Sequence, residues 1–209
     1  MDYPVETLLD TKFIKVFDLH QAPGQHYYNV SRRPLEETVM AMDDEAFASM
    51  VPDAVSLCVI WHEKEKEDRI VLNLEYRYPL GRYVLSVPAG LIDPEDRGQD
   101  REAAIRAAAE RELYEETGLS LKEGDRFTML NPCLYSSPGL TDESNAMVRI
   151  DLYDHDAAEL TQTHAVGTEK FEGFRLVTAE EARPLLFSGV LSVYTWIGLS
   201  AFLFGLGAE

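Results

Sequence analysis

A chain of 209 residues, 45% of them hydrophobic, can bury one substantial core, because the fraction of surface removed from water grows with size. Its formal charge of −18 excludes a nucleic-acid backbone as the main partner, since that affinity comes from Lys and Arg displacing counterions; cations and small ligands fit better. Two cysteines, Cys58 and Cys133, without CxxC spacing, and no basic stretch leading into an apolar run, set the expectation of a reducing, cytoplasmic location.

In chain order, KFIKVFDLHQ alternates apolar and polar residues, APG marks a turn, and QHYYNVSRR resumes an extended pattern, so residues 3 to 33 read as an appended β-element. Leu35, Val39, Met42 and Phe47 then recur at helical spacing between Pro34 and Pro52, which predicts a helical insertion. AVSLCVIW and IVLNLEYRYP flank the charged HEKEKEDR as a hairpin. YVLSVPAGLID reads as a central strand ending in a tight loop at Pro88 and Gly90.

A long helix follows. Asp93 before Pro94, or Asp100, supplies its start, and Gly118 its stop, because a residue without Cβ adopts the left-handed cap conformation freely. FTMLNPCLY and NAMVRIDLY are strands around the turn-rich SSPGLTDES, and FEGFRLVT enters the helical AEEARPLLF. From Pro184 to Ala208 no residue is charged, yet Ser188, Ser192, Tyr194, Thr195 and Ser200 interrupt the run and no basic cluster flanks it, which favours a buried helix over a membrane span. The mixture predicts an α/β sandwich with a mixed sheet: residues 1–50 as the β-element with its insertion, 51–209 as the main domain.

RELYEETGL, residues 111–119, poses the chemical question. Glu112, Glu115 and Glu116 share one helix face beside the negative end of the dipole. Each like-charge pair costs about 0.2–0.5 kcal/mol on an exposed helix. On spacing alone the ordinary meaning is a solvated charged face; the specific one is a seat for a hard divalent ion that shares its site with phosphates.

RELYEETGL resembles the second half of the Nudix box, matching every fixed position from Arg111 to Leu119. EYRYPLGRYVLSVPAGLID before it and YSSPGLTDES after it are similar to the ADP-ribose pyrophosphatase branch, so the likeness covers residues 75 to 150. The first half of the box is out of register: its Gly falls on Arg97 and its Glu on Ala103, with Glu102 or Glu95 as geometric replacements, and Ser86 stands where the branch often has Glu.

The resemblance implies a Nudix-type α/β/α fold and Mg²⁺- or Mn²⁺-dependent hydrolysis of a nucleoside diphosphate derivative, with ADP-ribose or an ADP-sugar first. The alternatives are another nucleotide substrate and a non-catalytic nucleotide sensor. It further implies that Glu112 and Glu116 hold metal, that Glu115 shares a second ion, and that the Ala89 carbonyl completes the set. Arg111 would fix a Glu rotamer, and Glu143 would act as general base with Asp142 as a nearby substitute. Arg77 would contact the diphosphate, a part open also to Arg32 or Arg33. Ser137, Pro138 and Gly139 are expected against substrate. Of Tyr27 and Tyr28, which alternation sends to opposite faces, at most one, taken as Tyr28, would stack on a base; core packing is the commoner fate of such rings. The branch implies a homodimer with residues 1–50 at its interface. His62, His155 and His164 lack metal-ligand spacing and read as surface residues.

Overall fold

A computed structural model of the chain describes residues 3–96, 100–164 and 170–208. Strands β1 (Val5–Asp10), β2 (Lys15–Leu19) and β3 (Tyr27–Ser31) form a three-stranded antiparallel sheet in that order. The turn between β2 and β3 contains Gly24 at φ 74°, and Gln25 N–H donates to the Ala22 carbonyl.

The expected helical insertion is only partly helical. Two 3₁₀ turns, Leu35–Glu37 and Val39–Ala41, precede the short helix α1 (Asp44–Ser49), with Thr38 extended between them. The physical reason is a long-range bond: the Val39 N–H donates to the Asp142 carboxylate at 3.0 Å instead of continuing a helical ladder.

The main sheet runs β10 (Phe171–Thr178), β5 (Arg69–Arg77), β4 (Ala54–His62), β9 (Ser144–Tyr153), β8 (Arg126–Tyr135). β4 and β9 are parallel and the other neighbours in this order antiparallel, a mixed sheet. β4 is buried on both faces, so its period-two alternation feeds two cores. Val55, Leu57, Val59 and Trp61 pack with Ile105 and Leu113 of helix α2 (Arg101–Thr117). Cys58 and Ile60 pack with Ala182 of α3 (Ala179–Ser188) and Leu199 of α4 (Val193–Phe204). The result is the α/β/α sandwich expected. Ser188 ends α3 and Ser192 caps α4, so the uncharged run is two short helices; among the described residues no helix is long and apolar enough to cross a membrane.

The expected central strand around PAG is two strands. β6 (Arg82–Ser86) pairs with β5, and β7 (Ala89–Leu91) pairs with β4. β4 and β5 pair with each other only at Ile60↔Ile70 and Trp61↔Arg69 before diverging, and the broken strand fills the gap. Pro88, with no N–H to give a ladder, suits the break. Helix α4 closes over it: Val87 N–H donates to Thr195 Oγ1 at 3.2 Å, and a Cβ on Gly198 would lie 2.8 Å from Val87 Cγ1.

Candidate active site

Helix α2 forms for local reasons. It is alanine-rich, Asp100 caps its start by accepting from the Ala103 N–H at 2.9 Å, and Gly118 ends it at φ 78°. A Cβ at Gly118 would also fall 2.5 Å from Thr161 Cγ2, so glycine is required twice over. The buried face runs through Ile105, Ala108, Ala109 and Leu113 and carries Glu112 and Glu116 into the interior, 5% and 3% exposed. For these two the solvated-face expectation fails.

Buried carboxylates need partners, and each has them. Asn73 of β5 donates from Nδ2 to Glu116 Oε2, and the Ala89 N–H donates to the same oxygen at 3.3 Å. Glu112 lies over Gly90 so closely that a Cβ there would sit 1.9 Å from Oε1. Arg111 donates to Glu112 Oε1 at 2.7 Å, Glu115 Oε2 at 3.2 Å, the Leu91 carbonyl at 2.7 Å and Asp96 Oδ2 at 3.1 Å. Burial pulls the Arg111 pKa down, but Glu112, Asp96 and Asp93 outweigh it and hold the guanidinium above its ordinary value, permanently cationic. Two polar partners went unforeseen. Asn73, a lone polar residue in the apolar IVLNL, carried a signal; Asp96, in the loop before α2, carried none.

The replacements expected for the displaced first half of the box are both exposed, unlike the buried Glu112 and Glu116. Glu102 is exposed in the first turn of α2, ten residues before Glu112 and so about 15 Å away along the axis, and Glu95 is exposed in its turn. Ala103 lies in that same first turn, and Arg97 falls outside the described residues. Ser86 is buried and pairs in register with Asn73.

Beside β7 opens a cleft of about 390 Å³ lined by Ala89, Gly90, Arg77, Glu143, Arg32 and Tyr194, among others. Glu143 does join it, ion-paired at 2.5 Å to Arg32, whose partner role was not anticipated. Arg77 faces the same space and pairs with Glu75 at 2.8 Å; burial pushes the Glu75 carboxyl up, with Arg77 and Ser86 opposing. Arg33 is instead buried against Asp53 at 2.9 Å, and Asp142 is turned toward Val39.

The SPG loop sits elsewhere. Pro138 lines a separate cavity of about 480 Å³ under the N-terminal sheet, together with Tyr27, Leu140 and Phe47. Tyr27 reaches the loop by donating its hydroxyl to the Gly139 carbonyl at 3.0 Å. Tyr28 lines neither space and stacks on His26, ring centroids 6.3 Å apart. Both tyrosines are half-exposed, against the core-packing expectation: Tyr27 shares its face with the buried Asn29 and Ser31 but borders the open cavity, and Tyr28 lies on the opposite face.

The histidine reading is corrected at two of three positions. The His155 side chain is fully buried against Asp125 at 2.8 Å and the edge of Trp61, and His62 bridges Asp68 and Asp151 at 2.8 and 2.7 Å. Charged neighbours in sequence did not mean solvent, because each imidazole pairs with a carboxylate distant in the chain. His164 is exposed and stacks on Tyr114.

Known proteins show the same pattern. "Putative nudix hydrolase 2" of Caenorhabditis elegans is 41% identical over 90 residues, 43% of this chain and 35% of that protein. "ADP-ribose pyrophosphatase" of Bacillus subtilis is 29% identical over 137 residues, 66% of this chain and 64% of its own length. These matches span about a third to two thirds of the relatives' lengths. A solved structure described as "Crystal structure of ADP compounds hydrolase" superposes with TM-score 0.54 at 21% identity, covering 99% of this chain and 95% of that one, a likeness of fold. The sequence model of the NUDIX domain matches residues 50–197, well over half of the chain and all of the carboxylate cluster, and the chain therefore belongs to the NUDIX domain family.

Proposed function

We propose that the chain hydrolyses the diphosphate linkage of a nucleoside diphosphate derivative, with ADP-ribose or an ADP-sugar as the substrate class, releasing AMP and a sugar phosphate. The observation that carries this reading is the burial of Glu112 and Glu116 side by side against β7, next to a polar cleft. Support for the substrate class comes from relatives described as ADP-ribose pyrophosphatase and ADP-sugar pyrophosphatase.

The residues fit a hard divalent ion. The side-chain donors are all carboxylate oxygens, and Gly90 leaves the space over its Cα that Glu112 fills. Mg²⁺ or Mn²⁺ would be held by Glu112, Glu115, Glu116 and the Ala89 carbonyl, where it would supply charge neutralisation of the diphosphate and an acidified water.

The chain's own groups do the rest. Arg111 is a positioning residue: its fork sets the Glu112 and Glu115 rotamers and is itself anchored on Leu91 and Asp96. Asn73 and the Ala89 N–H hold one Glu116 oxygen and so fix the orientation of its carboxylate. Arg77 offers a guanidinium to the phosphate oxygens, and Arg32 offers a second once it parts from Glu143. Glu143 so released takes the proton of the attacking water; water oxygen bonds to one phosphorus, the bridging P–O bond breaks, and the leaving phosphate carries the electron pair away. Ser137, Pro138 and Gly139 would meet the substrate only where it extends from the cleft toward the neighbouring cavity that Pro138 lines, and Tyr28, which lines neither space, is left without a stacking role.

The same reading carries a cytoplasmic homodimer with residues 1–50 at its interface, supported by the exposed Leu8, Leu9, Phe13 and Ile14 on the β1–β2 hairpin; sedimentation velocity tests it. The decisive assay incubates purified chain and Mg²⁺ or Mn²⁺ with a panel of nucleoside diphosphate derivatives and follows nucleoside monophosphate release. Metal-dependent turnover is expected with an ADP-linked member. Binding without turnover of any member would replace the enzyme by a sensor.

A further inference from the structure

We propose that the N-terminal sheet carries a cation site of its own, built from Asp18, His20 and His26 and suited to a borderline transition ion such as Zn²⁺. Asp18 lies in β2 and His20 two positions on, so both project from one face of the sheet. In register, Asp18 opposes Tyr28 and Leu19 opposes Tyr27, which brings His26, just before β3, alongside His20; the two rings meet edge to face with centroids 4.9 Å apart. One ligand atom from each of the three residues lies within 4.8 Å of the others. His26 Nδ1 is 2.6 Å and His20 Nε2 3.5 Å from Asp18 Oδ2. Tetrahedral zinc, with bonds of about 2.0–2.2 Å, sets its ligand atoms about 3.3–3.6 Å apart, so the His20 separation already fits and His26 has to draw back by about 1 Å or less.

A second observation points the same way. The Asp18 side chain is only 6% exposed, and its Oδ1 has no hydrogen-bond partner among the described residues. The ion-pair partners described for Asp18 are the two histidines, with no Lys or Arg among them. A buried carboxylate oxygen left unmet is costly, and a dication bound to the Asp18 carboxylate would offset that cost while drawing on both imidazoles that face its Oδ2. Glu6 of β1, opposite Asp18 in register, brings Oε2 to 3.9 Å from His20 Nε2 and stands as a fourth ligand, with water as its substitute. Two imidazole nitrogens with one or two carboxylates select zinc-like ions over Mg²⁺, which prefers an all-oxygen octahedron. Bound there, the ion would staple the 20–26 turn onto all three strands, and so brace the sheet from which Tyr27 reaches Gly139 and the segment from which Arg32 reaches Glu143.

The test separates this site from the carboxylate cluster. Equilibrium dialysis against Zn²⁺ is run on the full chain, on His20→Ala/His26→Ala and on Glu112→Gln/Glu116→Gln, with melting temperatures taken in Zn²⁺ and in EDTA. The histidine variant is expected to lose one equivalent of Zn²⁺ and the Zn²⁺-dependent rise in melting temperature, while matching wild type in EDTA; the glutamine variant keeps both. His26→Gln alone, at a half-exposed ring, is expected to weaken that equivalent by about tenfold or more, which keeps the test open if the double variant fails to fold. Unchanged Zn²⁺ stoichiometry and affinity in the histidine variants, or loss of the equivalent in the glutamine variant alone, would overturn the site and leave Asp18 and His26 as a hydrogen-bonded pair.

Discussion

The cleft joins two kinds of ion pair. Arg111 and Glu112 meet where sheet and helix pack, the glutamate 5% exposed and the arginine tied to four further oxygens; Arg32 and Glu143 meet at the rim, their side chains 36% and 40% exposed and joined by one contact. A third pair, Arg149 with Asp151, resembles the first, with both side chains nearly fully buried and two bonds at 2.6 and 2.8 Å. Burial and multiplicity decide what such pairs are worth: removing one partner of a buried pair strands a charge, whereas a surface pair trades little more than hydration. The carboxylate half of the site is thus built in advance, and the half that carries the candidate base can part from its partner at small cost.

The largest effect should come from the interior. Asp151→Asn strands Arg149 and is expected to lower stability by about 3–5 kcal/mol, read by urea unfolding. Burial alone would raise the Asp151 pKa, but hydrogen bonds from Arg149 and His62 more than reverse it, so the folded value lies below the unfolded one. The stabilisation is therefore complete above the unfolded carboxylate value of about 3.9 and is lost as pH falls through the depressed folded value. An acid titration of stability should show the wild type losing this increment below pH ~4 and Asp151→Asn lacking it.

Glu116→Gln should follow, with a loss of about 10²–10³ in metal-dependent kcat and no loss of fold, as for removal of one strong electrostatic group at a reacting centre. Retained turnover would take Glu116 out of the metal set. Glu143→Gln is expected to lower kcat by about 10² with KM little changed, a general-base signature; equal loss in both would make it a binding residue. Arg32→Ala closes the series. Its stability cost should stay within about 1 kcal/mol, and a cost of several would show that the rim pair is as firmly built as the inner one.

Legibility in the sequence followed the range of the causes. Helix α2 and its C-terminal end were readable because the alanines and Gly118 act within a few residues of themselves, its start was narrowed to Asp93 or Asp100, of which the structure uses Asp100, and the two-faced burial of β4 follows from AVSLCVIW. The Glu112–Glu115–Glu116 face was readable, but its burial was not, because the partners that make burial tolerable come from Asn73, 43 residues before Glu116, and Asp96, 15 before Arg111. The Arg32–Glu143 pair spans 111 residues and has no local trace. Tyr27 rather than Tyr28 meets the SPG loop because a single step along a strand reverses the face, and the pattern YY is silent on that step. PAG was recognisable, yet the division of its strand between two neighbours depends on β4 and β5 diverging, which no short window records.

The break in that strand ties the cleft to the far side of the protein. Gly198 of α4 presses on Val87, and Val87 immediately precedes the Pro88-Ala89-Gly90 segment under Glu112 and Glu116. A methyl group added at Gly198 would lie only 2.8 Å from Val87 Cγ1, inside van der Waals contact, and has to push the strand or lift the helix. Gly198→Ala, on the opposite layer from Glu112 and Glu116, should therefore act as a wedge through the sheet: it would retune the spacing of the carboxylate cluster from behind while leaving each proposed ligand in place.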